Sequence, residues 1–242
     1  MADRDYEGKK NLEIMDEAVH YNRFILSEIM AVFPNRDSKI LDFGAGRGFF
    51  AKAMREQGYK NILCLEPDPS FRDSLREDGF TALHAMEDIP DNTLDGIYAI
   101  NVLEHISEHD EIVRCWFNKL KSGAKSYAYV PAFQFLWSDL DTQVGHVRRY
   151  NRKTLEALFV QNGFLLEECS YADSAGIPAV LYLNLFKKGN GELSSSMVRL
   201  YDRYFFPISR IADKALRHFA GKNIYLTAQK PLKSEGTSTQ GS

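Results

Sequence analysis

The stretch KILDFGAGRGFF, residues 39–50, constrains the fold more than any other part of the chain. An apolar, strand-like run carries an acid at Asp42, breaks into glycines at Gly44, Gly46 and Gly48, and resumes as a helical pattern. Glycine in a strand-to-helix turn lets the backbone approach a ligand closely and supplies N–H groups at a helix start. A tight turn that holds no ligand is the plain alternative.

Around this turn the chain alternates. Strand patterns at 39–43, 61–65, 80–84, 95–100 and 125–130 are separated mostly by helical patterns, at 48–57, 69–78 and 107–121. Parallel neighbours need a crossover, so such alternation predicts a doubly wound α/β sheet with helices on both faces. A helix at 153–162, a strand at 164–171, a mixed region at 174–220 and a last strand at 223–229 complete the pattern. Ahead of the sheet a helix is expected over about 10–31. Its inward stripe reads Leu12, Met15, Val19, Asn22, Leu26, Ile29 and Phe33, with Asn22 the one polar member, either a satisfied core amide or a hand over the ligand.

With 44% hydrophobic residues, 242 residues make one domain, expected over 1–230 with capping segments at 131–152 and 174–220 and a disordered polar tail at 231–242. A net charge of −3 gives the whole chain no electrostatic reason to bind nucleic acid. Cys64, Cys115 and Cys169 have neither metal-ligand nor disulfide spacing, so no metal site is expected. The charged N-terminus has no apolar signal core, and no run approaches 18 apolar residues, which points to a cytoplasmic protein that does not span a membrane.

In a doubly wound sheet, the turn after the first strand lines a crevice at the carboxyl ends of the strands. Glu66 ends the second strand in CLEPDPS, where a carboxylate accepts two hydrogen bonds from a ribose diol. A dinucleotide fingerprint needs G-x-G-x-x-G. Here the third glycine falls one position early, at Gly48, and Phe49 takes its place. A carboxylate at Asp42 repels a pyrophosphate and suits an ammonium. S-adenosylmethionine, with ribose, adenine, an amino-acid end and no phosphate, fits these features.

The residues resemble the class I S-adenosylmethionine-dependent methyltransferases of the type 11/12 group over roughly 15–172. ILDFGAGRGFF is similar to the family's first motif, with Asp42, Gly44, Ala45, Gly46 and Gly48 on the matching positions. LEPDP resembles the second, which puts Glu66 on the ribose and Pro67 and Asp68 beside the adenine. LDGIYAINVLEHI resembles the fourth, with Asn101 at the methionine end and Leu103 opening the next helix. Where the family often carries an acid for the adenine amino group this chain has Ala85, so Met86, Glu87 or Asp88 stand in for it. The resemblance implies a Rossmann-like, seven-stranded, mostly parallel sheet with an antiparallel last strand, an N-terminal helix and a helical cap, and S-adenosylmethionine as cofactor.

Methyl transfer from a sulfonium needs alignment and, for a hydroxyl acceptor, a base. His105 and His146 are the candidate bases, against structural readings as a helix-cap and a loop histidine. Trp137, Arg148, Arg149 and Tyr150, in an aromatic loop beginning at Pro131, are candidates for acceptor recognition, against a lid with solvated arginines. Residues 186–222 carry eight basic and three acidic side chains interleaved with aromatics. That mixture points to peripheral contact with an anionic membrane at its inner face and to a small-molecule, glycan or lipid-linked acceptor, probed against a solvated cap. The expected activity is methyl transfer, with O-methylation favoured; the alternatives are an NAD(P)-dependent oxidoreductase and a binding module that has lost turnover.

Overall fold

Seven strands hydrogen-bond in the order β3-β2-β1-β4-β5-β7-β6 in the computed structural model, which describes residues 9–186 and 194–233. They are β1 (Lys39–Phe43), β2 (Asn61–Leu65), β3 (Thr81–Leu83), β4 (Leu94–Ile100), β5 (Leu120–Pro131), β6 (Leu165–Ala172) and β7 (Asn223–Gln229). All pairings among β1–β5 are parallel, and β7 runs antiparallel between β5 and β6. The expected architecture is therefore present. Strand order reverses between β1 and β4, and the crevice of a doubly wound sheet opens at that reversal.

Helices α3 (Phe49–Glu56), α4 (Pro69–Glu77), α5 (His109–Lys119) and α7 (Arg152–Gln161) provide the crossovers, and the short α6 (Asp139–Gln143) lies in the segment between β5 and α7. Two cores result, one on each face of the sheet. Leu41, Ile97, Ala128 and Leu226 pack with Trp116 and Phe159 on one side, while Ile40, Tyr98, Tyr127 and Tyr225 pack with Ile25, Ile29 and Phe206 on the other. These central strands are buried on both faces, so their apolar runs are continuous.

The N-terminal helix departs from expectation. It is two helices, α1 (Lys9–Asp16) and α2 (Val19–Val32), and the buried stripe is Ile14, Ala18, Tyr21, Asn22, Ile25, Ile29 and Phe33. Val19, placed inward by the sequence pattern, is 54% exposed. No glycine or proline marks the break. Its cause is remote: the Asp202 carboxylate accepts the His20 and Tyr21 N–H groups at 2.9 and 2.8 Å and so starts a fresh helix.

The cap consists of α8 (Gly176–Phe186), α9 (Ser195–Leu200), a π-helical turn (Tyr201–Phe205) and α10 (Phe206–Leu216). From Val198 onward its buried residues are Val198, Asp202, Phe206, Ser209 and Asp213, at steps of three and four. The acids face inward because they hold backbone donors. Asp213 accepts the Asp173 and Ser174 N–H groups at 2.9 Å each, much as Asp202 holds α2. Part of the expected basic surface, Lys187 and Lys188, and most of the polar tail lie outside the described residues.

Candidate functional site

The glycine turn is built as its composition demands. Gly44, Gly46 and Gly48 all have positive φ, at 78°, 53° and 76°. A Cβ on Gly44 would stand 2.5 Å from a Val102 methyl, and one on Gly48 would stand 2.5 Å from a Leu75 methyl. At Gly44 both angle and space therefore require glycine, while at Gly48 the angle does so and the flexible end of Leu75 can give way.

Four N–H donors of the turn are already engaged. Gly44 and Ala45 N–H groups donate to the Leu65 carbonyl at 2.9 and 3.0 Å, and Gly48 donates to Ala45 at 2.8 Å. Gly46 donates to Glu66 Oε2 at 2.7 Å. A phosphate cradle needs such N–H groups free. Here a carboxylate occupies the centre of the turn, which disfavours a pyrophosphate and suits a ligand with hydroxyls and an ammonium. The other Glu66 oxygen accepts the Asp68 N–H at 2.8 Å, and each oxygen keeps a lone pair for a ribose hydroxyl. Burial raises the Glu66 pKa, against the pull of these two N–H groups.

The remaining cofactor candidates divide by their surroundings. Asn101 sits exposed at the end of β4 with φ 53°, its N–H held by the Tyr129 carbonyl at 2.8 Å. Leu103 is buried below it. Asp68 caps α4, accepting the Ser70 and Phe71 N–H groups at 2.8 and 3.1 Å. Met86 is buried in the core, and Glu87 beside it is exposed. Asp42 is buried, with the Tyr98 hydroxyl and the Ala51 N–H about its carboxyl; burial pushes its pKa up to about 7. Asn22 follows the plainer of its two readings in its bonding: its amide donates to the Met15 carbonyl at 2.8 Å, across the α1–α2 junction.

The segment after β5 forms a lid that folds back over the end of β4, its Val147 N–H donating to the Glu104 carbonyl at 2.8 Å. The rings of His105 and His146 meet edge to face with centroids 4.6 Å apart. His146 Nδ1 lies 2.7 Å from Asp141 Oδ1. An ionised carboxylate only accepts, so Nδ1 carries the hydrogen and Nε2 is the basic atom. Asp141 is almost wholly buried and also accepts both Arg149 Nε and Nη2, at 2.8 Å each. Burial raises its pKa, but the bonds from His146 and Arg149 outweigh that and hold the carboxyl well below the usual range. Burial and the adjacent His146 push His105 down to about 4, so it is neutral at pH 7.

Other lid residues are committed to the lid itself. Tyr150 is buried, its hydroxyl bonded to the Leu103 carbonyl at 3.1 Å and to His109 Nδ1 at 2.7 Å. Arg149 is spent on Asp141. Arg148 donates Nη2 to the Ser107 carbonyl at 2.9 Å, while its buried Nη1 has no hydrogen-bond partner. Trp137 donates to Thr142 at 3.1 Å and sets its ring 6.5 Å from His146.

A methyltransferase-domain family model matches residues 17–168, which contain the turn, Glu66 and both histidines. The chain belongs to the methyltransferase-domain family. The S-adenosylmethionine-dependent methyltransferase that its motifs led us to expect is borne out, as is the cofactor. Among curated protein sequences none matches. Solved structures share the fold at low identity. A chain of the Haloferax volcanii complex containing the methyltransferase activator Trm112 superposes with TM-score 0.64 at 14% identity, covering 95% of this chain and 96% of that one. An S-adenosylmethionine-dependent methyltransferase from Archaeoglobus fulgidus gives 0.60 at 18%, covering 86% and 94%. Phosphoethanolamine N-methyltransferase 2 from Haemonchus contortus, bound to S-adenosylmethionine, gives 0.61 at 14%, covering 96% and 60%.

Two acids of this methyltransferase escaped the sequence reading. Glu104 lies inside NVLEHI, between residues that were singled out, yet is 0% exposed with neither carboxylate oxygen hydrogen-bonded. Burial pushes its pKa up to about 8. Asp141 was masked by its setting in SDLD, where an acid reads as a helix N-terminal residue; only the fold brings His146 and Arg149 onto it.

Proposed function

We propose that this chain moves a methyl group from S-adenosylmethionine to a hydroxyl of a small-molecule, glycan or lipid-linked acceptor at the crevice mouth. The supporting observation is the His146–Asp141 pair beside His105, because a histidine oriented by a carboxylate is a base matched to a hydroxyl near neutral pH. The cofactor supplies an electrophilic methyl group; the protein supplies the rest. Gly44, Ala45, Gly46 and Gly48 let the backbone lie against it, Glu66 takes the ribose, and Pro67, Asp68, Met86 and Glu87 border the adenine. Asn101 and Leu103 flank the amino-acid end, and Asn22 fixes the helix that runs over it. Trp137 and Arg148 border the acceptor in this reading. Arg149 and Tyr150 shape the lid by holding Asp141 and the Leu103 carbonyl.

We further propose that the cap rests on the inner face of the cytoplasmic membrane. Leu200, Tyr204, Ile208 and Ile211 recur at steps of four, four and three along the cap and are 55%, 56%, 59% and 72% exposed. Such an outward apolar stripe suits the headgroup boundary. No helix among the described residues is long and apolar enough to cross a membrane.

The test is transfer of label from methyl-labelled cofactor into fractionated cell extract. Label in a lipid, glycan or small-molecule fraction, attached through oxygen and lost with His146→Ala, is the expected result. Label confined to protein or RNA, or attached through nitrogen, would refute the acceptor assignment.

A further inference from the structure

At the crevice mouth three side chains converge with more ligating capacity than the protein itself uses. Glu104 Oε1 stands 3.8 Å from His146 Nε2, too far for a hydrogen bond. One ligand atom from each of Glu104, His105 and His146 can be chosen so that all lie within 4.8 Å of one another. Four-coordinate sites with bonds of ~2.1 Å place their ligands about 3.4 Å apart, so small side-chain rotations close this triad on an ion.

The buried carboxylate is the second, independent sign. Both Glu104 oxygens are shielded from solvent and lack hydrogen-bond partners, an arrangement that is costly for a carboxylate unless a cation compensates it. The guanidinium of Arg149, whose charge acts on Glu104, is already held bidentate by Asp141. Asp141 in turn fixes His146 with Nδ1 protonated and Nε2 turned toward Glu104, the carboxylate–histidine arrangement that orients imidazole ligands on metals.

We propose that Glu104, His105 and His146 bind one divalent transition-metal ion of the zinc class, leaving a coordination position open to the crevice. The set is one carboxylate and two imidazoles, the donor types such ions prefer, and three protein ligands leave a fourth place for an exogenous oxygen. The inference rests on the hydroxyl-acceptor reading above but replaces its base. With His146 Nε2 on the ion, an acceptor hydroxyl in the open place is acidified by the ion and releases its proton to water, and its oxygen takes the methyl group as the S–CH3 bond of the cofactor breaks.

The test uses the full-length protein stripped with a chelator and titrated with Co2+ and then Zn2+. One equivalent of Co2+ is expected to give the intense visible absorption of a four-coordinate site, and Zn2+ to abolish it. Glu104→Gln, His105→Ala and His146→Ala should each weaken binding roughly 100-fold or more, and Asp141→Asn about 10- to 100-fold. Glu104→Gln keeps side-chain size, and circular dichroism checks the fold of each variant. A wild-type protein that gives no such spectrum overturns the proposal whatever the variants do, and so does equal Co2+ affinity across wild type and folded variants. Calorimetry of S-adenosylmethionine on the same samples separates the two readings. Metal binding without cofactor binding would sink the methyltransferase mechanism and leave the ion site, and the reverse would sink the ion site alone.

Discussion

Replacing Glu66 by Ala separates two jobs that one carboxylate performs. In the structure it accepts the Gly46 N–H at 2.7 Å and the Asp68 N–H at 2.8 Å, which ties the glycine turn to the start of α4. Each hydrogen bond to an ionised acceptor is worth about 1.5–3 kcal/mol. Burial of Glu66 offsets part of that, since the raised pKa reports a desolvation cost that the variant no longer bears. The net loss of stability without cofactor should be about 2 kcal/mol, read from the midpoint of urea unfolding. Cofactor affinity should fall by a further 1.5–3 kcal/mol, or roughly 10- to 150-fold, as the ribose hydroxyls lose their acceptor. Calorimetry on folded protein measures that separately. A folded variant with unchanged affinity for S-adenosylmethionine would remove Glu66 from the ribose, and unchanged unfolding would show that the turn stands without it.

Gly44→Ala should cost more than about 2 kcal/mol in urea unfolding, because it combines a positive φ with a Cβ placed 2.5 Å from a Val102 methyl, and Gly48→Ala about 1–2 kcal/mol, chiefly for its positive φ, since the end of Leu75 can move aside. Asp42 sets a pH dependence: its folded pKa, about 7, lies above the ordinary 3.8, so its stabilising share is complete below about pH 4 and is lost as pH rises through 7. At ~1.4 kcal/mol per pH unit the loss reaches at most about 4 kcal/mol, and Asp42→Asn should flatten thermal stability between pH 4 and 8. Adding NAD should raise the melting temperature of the wild type by nothing measurable, since four N–H groups of the turn are engaged within the protein and the Glu66 carboxylate stands at its centre.

The sheet could be read from the sequence because its signals are local. Apolar runs such as ILDF and NILCL, punctuated by turn residues, placed β1, β2 and β7 to the residue. β5 starts five residues before its expected place because Leu120 leaves α5 directly into the strand, with Gly123 rather than a loop to shape the entry. The glycine turn was legible for the same local reason. The acceptor side was not, because its chemistry is made by contacts across the fold. Asp141 becomes a hub only when the lid folds onto it, and Glu104 looks like any helix acid until β4 and the lid bury it. Arg149 and Tyr150, read as acceptor ligands, are bonded to Asp141 and to Leu103 and His109. The break between α1 and α2 depends on an acid 182 residues away from His20.

Counting charge along residues 186–222 leaves out part of what the cap does with it, for a related reason: several of the partners lie elsewhere in the chain. Arg199 pairs with Glu17 at 2.7 Å, and Lys222 with buried Asp173 at 3.0 Å. Arg210 lies over the Phe24 ring at 3.7 Å and contacts Asp213 at 3.2 Å, and Arg217 stands 3.9 Å from Glu168. Beside exposed Arg199, Arg203, Lys214 and Arg217, the apolar stripe of Leu200, Tyr204, Ile208 and Ile211 also faces outward. Binding to a membrane through this face should thus be driven chiefly by burial of side chains, each worth about 1.5–3 kcal/mol when fully covered, against ~1 kcal/mol for a basic residue near an anionic surface. Sedimentation with vesicles should survive physiological salt, where charge is screened within about 8 Å, and should also occur on neutral vesicles, more weakly. Ile208→Ser with Ile211→Ser should abolish it at every salt concentration, whereas Lys214→Gln should only shift its salt dependence. Binding that vanishes with salt and ignores the isoleucine changes would return the cap to a basic surface, and no binding to either vesicle would leave its apolar face to some other partner.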